Sequence, residues 1–441
     1  MSTQRNTERV HVAIIGGGIT GVILALGLQK RGVDYTLYER APAFAEIGAG
    51  IGISPNAERA LKFVDPEVYR VYKQVATIGA EEEYFRWVEG YKTNEVSAKL
   101  LIGVDSFQGG RRSDFLEGWS NLIDKRRVKF GKSIRSATQD DEKKVFIYFE
   151  DGTTAEADIV IGCDGIHSRV RRLILGGENP ASYPSYTSKY CYRAVIPMDK
   201  AQAALGEKRT TDGGRTLNRI FYHGPGAHIK TYSVAKGQYM NILVVMTDPN
   251  SWVTDDGKHT TPGNKGDLTR AFADWHPFTR RIIDLIPDEP QKWAIFDMFE
   301  NPAPYYNLGG MAIAGDAAHA PGPHLGAGAG FGIEDALVLA VLLEAVSTTL
   351  DGETHKAKAE LCHAALAAYN NVRYDRTQWL VGATRESCAL FHWRSEETDD
   401  SFEEKCLPKI TENFHKIWHN DIDKMVRQAL VEFDRVNREG H

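Results

Sequence analysis

Cysteine is sparse and unpatterned in this sequence. Five are scattered through 441 residues, at positions 163, 191, 362, 388 and 406, with no C-x-x-C pair among them. An odd, unpaired set of thiols argues against a disulfide framework and a structural zinc site, and suggests a reducing compartment. Long apolar runs are missing too. The segment 12–28 comes nearest, but its glycines and its strand-then-helix pattern do not suit a membrane span. The first eight residues are polar and carry no apolar signal-peptide core. Neither sign of charge prevails: 53 Lys and Arg against 59 Asp and Glu leave a net −6, with no basic excess for a nucleic-acid partner. Internal repeats and low-complexity tracts are lacking. These absences lead to the expectation of a soluble, cytoplasmic protein with no stable membrane association. Its 42% hydrophobic and 25% charged residues are ordinary for a globular chain, and its length suits two or three domain-sized units.

What is present begins at Val12-Ala13-Ile14-Ile15, a run that reads as a buried parallel strand. Glycines follow at 16, 18 and 21 in G-x-G-x-x-G spacing, and then an apolar helix. Gly16 suits a tight turn, Gly18 a close approach of backbone to pyrophosphate, and Gly21 the packing of helix on strand. The helix start offers bare N–H groups and a positive dipole end to phosphate. A second strand, 35–38, ends in Glu39, 21 residues after Gly18, where an acid can accept both hydroxyls of an adenosine ribose. The bland alternative is a glycine-rich turn in some other α/β domain, which leaves the acid at that spacing unexplained.

Further along, Glu46-Ile47-Gly48-Ala49-Gly50-Ile51-Gly52 lets backbone approach something large and flat, or is a plain loop. Arg111 and Arg112 precede Ser113-Asp114, caps for a helix through Trp119 and Leu122, so that one arginine is placed to turn inward. A hairpin over 145–158 leads into the buried strand 159–162 and then Asp164-Gly165, with Ser168, Arg169 and Arg171 at a helix start. Ligands of open α/β sheets bind off the carboxyl ends of strands, which puts Asp164 on the edge that holds Gly16 and Glu39. From 183 to 300 the pattern changes to strands, at 189–198, 219–222, 228–234 and 240–246, with loops at 206–215 and 248–267. The α/β pattern returns at 311–319, where a strand ends in Gly315-Asp316. A small-residue run, 326–330, opens a helix over 333–343, and 355–438 reads as packing helices.

Three segments together carry a family resemblance: the glycine loop with Glu39, Asp164-Gly165-x-x-Ser168-x-x-Arg171, and Gly315-Asp316-Ala317-Ala318-His319. The chain resembles the single-component FAD-dependent aromatic hydroxylases, the family of para-hydroxybenzoate and salicylate hydroxylases. Within it the chain is most similar to fungal salicylate-hydroxylase-like enzymes and to those that dearomatise phenolic polyketides. The resemblance covers nearly the whole sequence. It implies an α/β fold with a Rossmann-like FAD-binding domain over 9–182 and 301–370. A mostly antiparallel β-sheet substrate domain is inserted at 183–300, and a helical region closes the chain at 371–441.

By the same resemblance, Gly16, Gly18 and Gly21 would hold the FAD pyrophosphate and Glu39 the adenosine ribose. Arg112 would contact the ribityl and phosphate region, with Arg111 next to it as the competing register. Asp164 and Gly165 match a motif assigned to both FAD and NAD(P)H binding. Asp316 would bond the ribityl chain, Gly50 and Gly52 would line the isoalloxazine, and the helix start at Gly328 and Ala329 would face the pyrimidine edge. Pro323 matches a proline near flavin C4a. Ala320 and Ala327 stand where many members carry proline and glutamine, which leaves backbone contacts there.

In this family NAD(P)H, a transient co-substrate, reduces FAD. O₂ then adds at flavin C4a, and the hydroperoxide gives its distal oxygen to an electron-rich carbon of a small phenolic substrate. Stabilising phenolate enriches the ring, a task for a buried arginine or a tyrosine hydroxyl. Arg193 and Tyr232 fit it, and both align with positions implicated in holding phenolate in the dearomatising relatives. The alternatives are an arginine paired with a structural carboxylate and a core tyrosine. His319 reads as a structural histidine rather than a base. Two outcomes stay open, decarboxylative hydroxylation of a salicylate and dearomatisation of an alkylated resorcinol. A flavin halogenase would carry W-x-W-x-I-P, yet none of the eight tryptophans has another two residues away. A non-catalytic binding protein would show erosion of the glycine loop or of Gly315-Asp316, and both are intact. No second nicotinamide-binding unit is present, no metal is expected, and a homodimer is left open.

Overall fold

A computed structural model describes residues 9–44, 50–77, 83–103, 107–140, 143–206, 219–252, 259–351, 357–393 and 402–439. The expectations for 46–49, and for the loop stretches 207–215 and 253–258, lie outside these residues.

The strand His11–Ile15 sits in the interior of a six-stranded sheet. It pairs in parallel with Asp34–Glu39 on one side and Ile159–Gly162 on the other, in register Ile14 to Leu37 and Ile14 to Ile161. Met311–Ile313 and Val128–Phe130 extend the sheet in parallel outward from these two, and Asn307–Leu308 closes one edge antiparallel. Continuous Val and Ile suits strands covered on both faces, and Val12, Ile14, Ile159 and Ile161 are all fully buried. The parallel strands run the same way. Their carboxyl ends therefore bring Gly16, Glu39, Asp164 and Asp316 to one edge, as expected from the sequence.

The helix Ile19–Lys30 is buried through Leu28 and packs on the helix Gly328–Asp351. A Cβ added at Gly27 would come within 2.9 Å of Ala340 Cβ, so the two helices approach at a glycine. Gly328–Asp351 starts earlier than the expected 333. Four of its first five residues are glycine or alanine, so apolar periodicity is weak there. Their smallness is what lets the helix start lie against Thr20 and Ser54: a Cβ at Gly332 would be 2.3 Å from Thr20 Oγ1.

A second sheet has eight strands, and the four expected strands form its centre: Ser185–Pro197, Tyr239–Thr247, Ala227–Val234 and Arg219–Gly224, in that spatial order. Tyr84–Glu89 joins the last of these in parallel and Val96–Leu101 follows it, so two strands come from well before 183. Gln291–Asp297 and Thr260–Pro262 complete the other end. Alternation divides this sheet's faces. Ile220, Ile229, Ile242 and Val244 turn to an apolar core shared with Phe278 and Ile282 of the helix Pro277–Asp284. The opposite face carries Phe221, Lys230, Leu243 and Arg193.

The C-terminal helices Lys358–Phe391, Leu407–Trp418 and Ile422–Glu439 pack as expected. Met425 and Phe433 enter the core of the first sheet, while Phe414 and Ile417 pack with Phe85 and Phe221 of the second. No helix among the described residues is long and apolar enough to cross a membrane.

Candidate active site

A cavity of about 440 Å³ runs along the carboxyl edge of the parallel sheet. A second, of about 210 Å³, lies against the polar face of the eight-stranded sheet. The two adjoin, sharing Ile51, Arg112, Pro323, Gly326, Gly328 and Ala329 as walls.

The first cavity is built by the glycine loop. Gly16 has φ +108°, and a Cβ there would stand 2.5 Å from the Cys163 carbonyl oxygen, so only glycine lets the loop cross the neighbouring strand end. At Gly18 a Cβ would meet nothing within 4 Å, which leaves backbone open to the cavity. The helix that follows has no side-chain cap and no acid in its first turn, an arrangement suited to phosphate. Gly21 lines neither cavity; a Cβ there would be 2.0 Å from Gly16 O, so its contribution is the packing of helix on loop. Glu39 accepts from the Gly17 N–H at 2.6 Å and from the Ala41 N–H at 2.7 Å. Each carboxylate oxygen keeps a lone pair for a ribose hydroxyl.

Asp164 lines the cavity with its carboxylate already committed. It accepts from the N–H groups of Arg169 (2.7 Å) and Val170 (3.2 Å) and from the Ser168 hydroxyl. Burial raises its pKa, against the pull of those hydrogen bonds. Arg171, fully buried, donates to the carbonyls of Ile166, Ser182 and Ala317 and ties this motif to the segment after Asp316. Asp316 is exposed and lines the cavity beside Gly328 and Ala329. Of the arginine pair, Arg112 lines both cavities, while Arg111 turns to Asp114 at 3.0 Å.

Cross-strand register makes the second cavity. Phe221, Lys230, Leu243 and Arg193 are successive partners across four strands, and Arg219, Tyr232 and Asn241 form the next row. All seven line the cavity. Arg193 is exposed by its accessible surface, lines this cavity with its guanidinium 5.7 Å from the Trp293 ring, and makes no ion pair among the described residues. Burial lowers its pKa, while Cys191 and Tyr232 raise it to a net increase, so it stays a cation. Burial, opposed by Arg193, pushes Tyr232 up to about 12, so its hydroxyl remains a donor at neutral pH. Arg219 is paired with Glu83, both nearly inaccessible. A Cβ at Gly50 would be 2.8 Å from the Tyr232 hydroxyl, and one at Gly52 would be 1.9 Å from Phe107. These glycines make room for side chains of the second cavity.

Beneath the shared wall lies a buried charge network. His319 Nε2 meets Asp335 Oδ2 at 2.6 Å, and the Gly315 N–H donates to the same oxygen at 2.9 Å. Arg373 binds Asp335 at 2.7 Å and Glu334 at 2.6 Å. His319 is fully buried on a carboxylate, which agrees with its reading as a structural histidine.

Sequence reasoning missed Lys230, Arg219 with Glu83, Phe85, Phe107 and Phe414, all near or on the second cavity. For Lys230 a signal existed: it is two residues from Tyr232 in an apolar strand, hence on the same face. Phe414 had none, since only tertiary packing brings its helix to the cavity. Behind Lys230, His228 Nδ1 and His392 Nε2 are 2.8 Å apart, with Cys388 Sγ 3.8 Å from His392. That spacing is an imidazole–imidazole hydrogen bond, and two buried lysines nearby disfavour a cation there.

Open backbone at Gly18, an uncapped helix start and an acid at the second strand's end fit the pyrophosphate and ribose of FAD. The comparisons agree. A family described as FAD binding domain matches residues 116–370. The FAD-dependent monooxygenase pigN of Monascus ruber is 44% identical over 438 residues, covering 98% of either chain. A salicylate hydroxylase of Sarocladium schorii is 37% identical, covering 96% of this chain and 91% of its own. Among solved structures, a salicylate hydroxylase–substrate complex is similar with a TM-score of 0.82 at 27% identity, covering 96% of this chain and 98% of that one.

Proposed function

The chain belongs to the FAD-dependent monooxygenases, and from that membership we propose that it is salicylate-hydroxylase-like, using NAD(P)H and O₂ to hydroxylate a small phenolic substrate. The observation that carries the phenolic reading is Arg193, a cation without a carboxylate partner among the described residues, which lines the same cavity as Tyr232, a cavity that adjoins the cofactor cavity. In this reading Gly16, Gly18 and Glu39 bind the pyrophosphate and ribose, Gly21 supports the loop, and Arg112, Asp316, Gly328 and Ala329 meet the rest of the cofactor. Asp164 acts by holding its helix start in place. Gly50, Gly52 and Pro323 form the boundary between cofactor and substrate. The bound cofactor, once reduced, supplies the activated oxygen.

Arg193 lowers the pKa of the substrate phenol by stabilising its phenolate, and Tyr232 donates to the same oxygen. Both keep the ring electron-rich at the carbon to be oxygenated. Phe85, Phe107, Phe221 and Leu243 keep water from that carbon. We take 9–182 with 301–370 as the cofactor unit, 183–300 with two strands from 84–101 as the substrate sheet, and 371–441 as helical support.

The test is a panel of salicylates and acylated resorcinols scored by product mass. Gain of one oxygen with loss of the carboxyl selects decarboxylative hydroxylation, and a quinol product with every carbon retained selects dearomatisation. Absence of product from every phenol would overturn the reading.

A further inference from the structure

We propose that Lys230 is a second substrate anchor, taking an acyl oxygen (carboxylate, ketone or aldehyde) borne by the ring whose hydroxyl Arg193 and Tyr232 hold. The proposal rests on the phenolic reading above and names a further group of that substrate.

Lys230 lies on the strand Ala227–Val234 and pairs across it with Leu243, which in turn pairs with Arg193. The two cations thus stand on one sheet face, two strands apart, roughly 10 Å between backbone positions. Both side chains line the 210 Å³ cavity, so they approach its contents from opposite sides of Leu243. Lys230 Nζ donates to the His324 carbonyl and, at 3.4 Å, to that of Pro323, and it lies 5.0 Å from the Phe221 ring. An ammonium has three donors. Two carbonyls leave one for the cavity.

Among the described residues no protein anion pairs with that ammonium. On its own strand Lys230 is followed by Tyr232 and preceded by His228. The segment after Pro323 brings His324, the end of the helix Lys358–Phe391 brings Cys388 and then His392, the adjoining strand Arg219–Gly224 brings Arg219, and Ser185–Pro197, one strand further, brings Arg193 and Lys189. Burial holds His228 and His324 far below the usual histidine range, so both are neutral. Glu83, the nearby carboxylate, is taken by Arg219. A buried lysine in such surroundings favours an acceptor that arrives with a ligand. Burial, opposed by Cys388, pulls Lys230 down to about 7, so its ammonium is present below that pH and lost above it.

The experiment is equilibrium binding to the oxidised, FAD-loaded protein without NAD(P)H, using salicylate, an acylated resorcinol and unsubstituted resorcinol. In Lys230→Met the Kd of the two acyl-bearing ligands should rise on the order of tenfold or more, as for a lost hydrogen bond to a charged donor. The Kd of resorcinol should stay nearly constant. Lys230→Arg should retain the preference for acyl-bearing ligands. In the unaltered protein, salicylate should bind more weakly as pH rises through about 7. The ketone, which carries no charge for the ammonium to attract, should change less. A steep profile for salicylate alone assigns the site to carboxylates, and tighter binding of the ketone assigns it to neutral acyl groups. Equal weakening of all three ligands by Lys230→Met overturns the proposal, as does no weakening. If Lys230→Met does not fold, flat pH profiles for both acyl-bearing ligands in the unaltered protein overturn it. Failure of the unaltered protein to bind any of the three overturns this proposal and the phenolic reading together. Binding and hydroxylation of phenols without acyl preference overturns this proposal alone.

Discussion

Arg193 has to be charged, set in the cavity wall and without a protein counter-ion if it is to serve a substrate oxygen, and among the described residues it meets all three conditions. Removing it should leave the cofactor cavity intact, because Arg193 is not among that cavity's walls. Arg193→Ala is therefore expected to keep FAD while product formed per NAD(P)H consumed falls on the order of tenfold or more, in line with loss of a preorganised charge at the reacting centre. Parallel assays of NAD(P)H, peroxide and product check this; unchanged coupling would take Arg193 out of the site. Tyr232, held protonated to about 12, stays a donor throughout the working pH range. At the other cavity, Gly16→Ala places a methyl against the Cys163 carbonyl in a positive-φ turn. It is expected to yield colourless or flavin-poor protein, measured by absorbance after gel filtration, as is Glu39→Ala. Full flavin retention in Glu39→Ala would contradict the ribose placement.

At the scale of elements, the helices Gly328–Asp351 and Lys358–Phe391 are locked together by Arg373 between Glu334 and Asp335. Burial alone would raise both carboxyls. Arg376 and Arg373 outweigh it at Glu334 and hold it at about 2, and His319 and Arg373 hold Asp335 well below the usual range. Depressed folded-state pKa values mean that this stabilisation is present above the unfolded carboxylate pKa, about 4. It is lost as pH falls from there towards 2. The expected result is an unfolding midpoint that drops steeply below pH 4 and less steeply in Arg373→Met, followed by circular dichroism. Arg373→Met itself is expected to cost about 3–5 kcal/mol at neutral pH, because it removes a buried cation shared by two buried carboxylates. A change under 1 kcal/mol in a denaturant titration would contradict a network of that strength. Gly27→Val is expected to lower stability by about 1–3 kcal/mol through overpacking against Ala340.

For the whole molecule, the cofactor edge was legible in the sequence because its determinants are local. A strand, a glycine spacing and an acid at the next strand's end form one contiguous unit, and Asp164 and Asp316 each sit at the end of a recognisable buried strand. On the sheet face of the second cavity, only Arg193 and Tyr232 were legible. Its other polar groups meet through register across strands as far apart in sequence as Arg86 and Ile220, and no local pattern encodes that register. Glu83 is far from Arg219 in the chain, and Phe414 arrives from a helix whose own spacing speaks only of packing. Asp164 shows the reverse limit: its motif was plain, but that its carboxylate caps a helix start emerged from three dimensions.

The most direct measurement is the mass of the product formed from the phenolic panel under ¹⁸O₂ with NAD(P)H and FAD-loaded protein. The expected result is a product carrying one ¹⁸O on the ring, formed by the unaltered protein and largely replaced by hydrogen peroxide in Arg193→Ala. A phenol recovered unlabelled from the unaltered protein, with every reducing equivalent in peroxide or water, would contradict a single site shared by cofactor and phenolate.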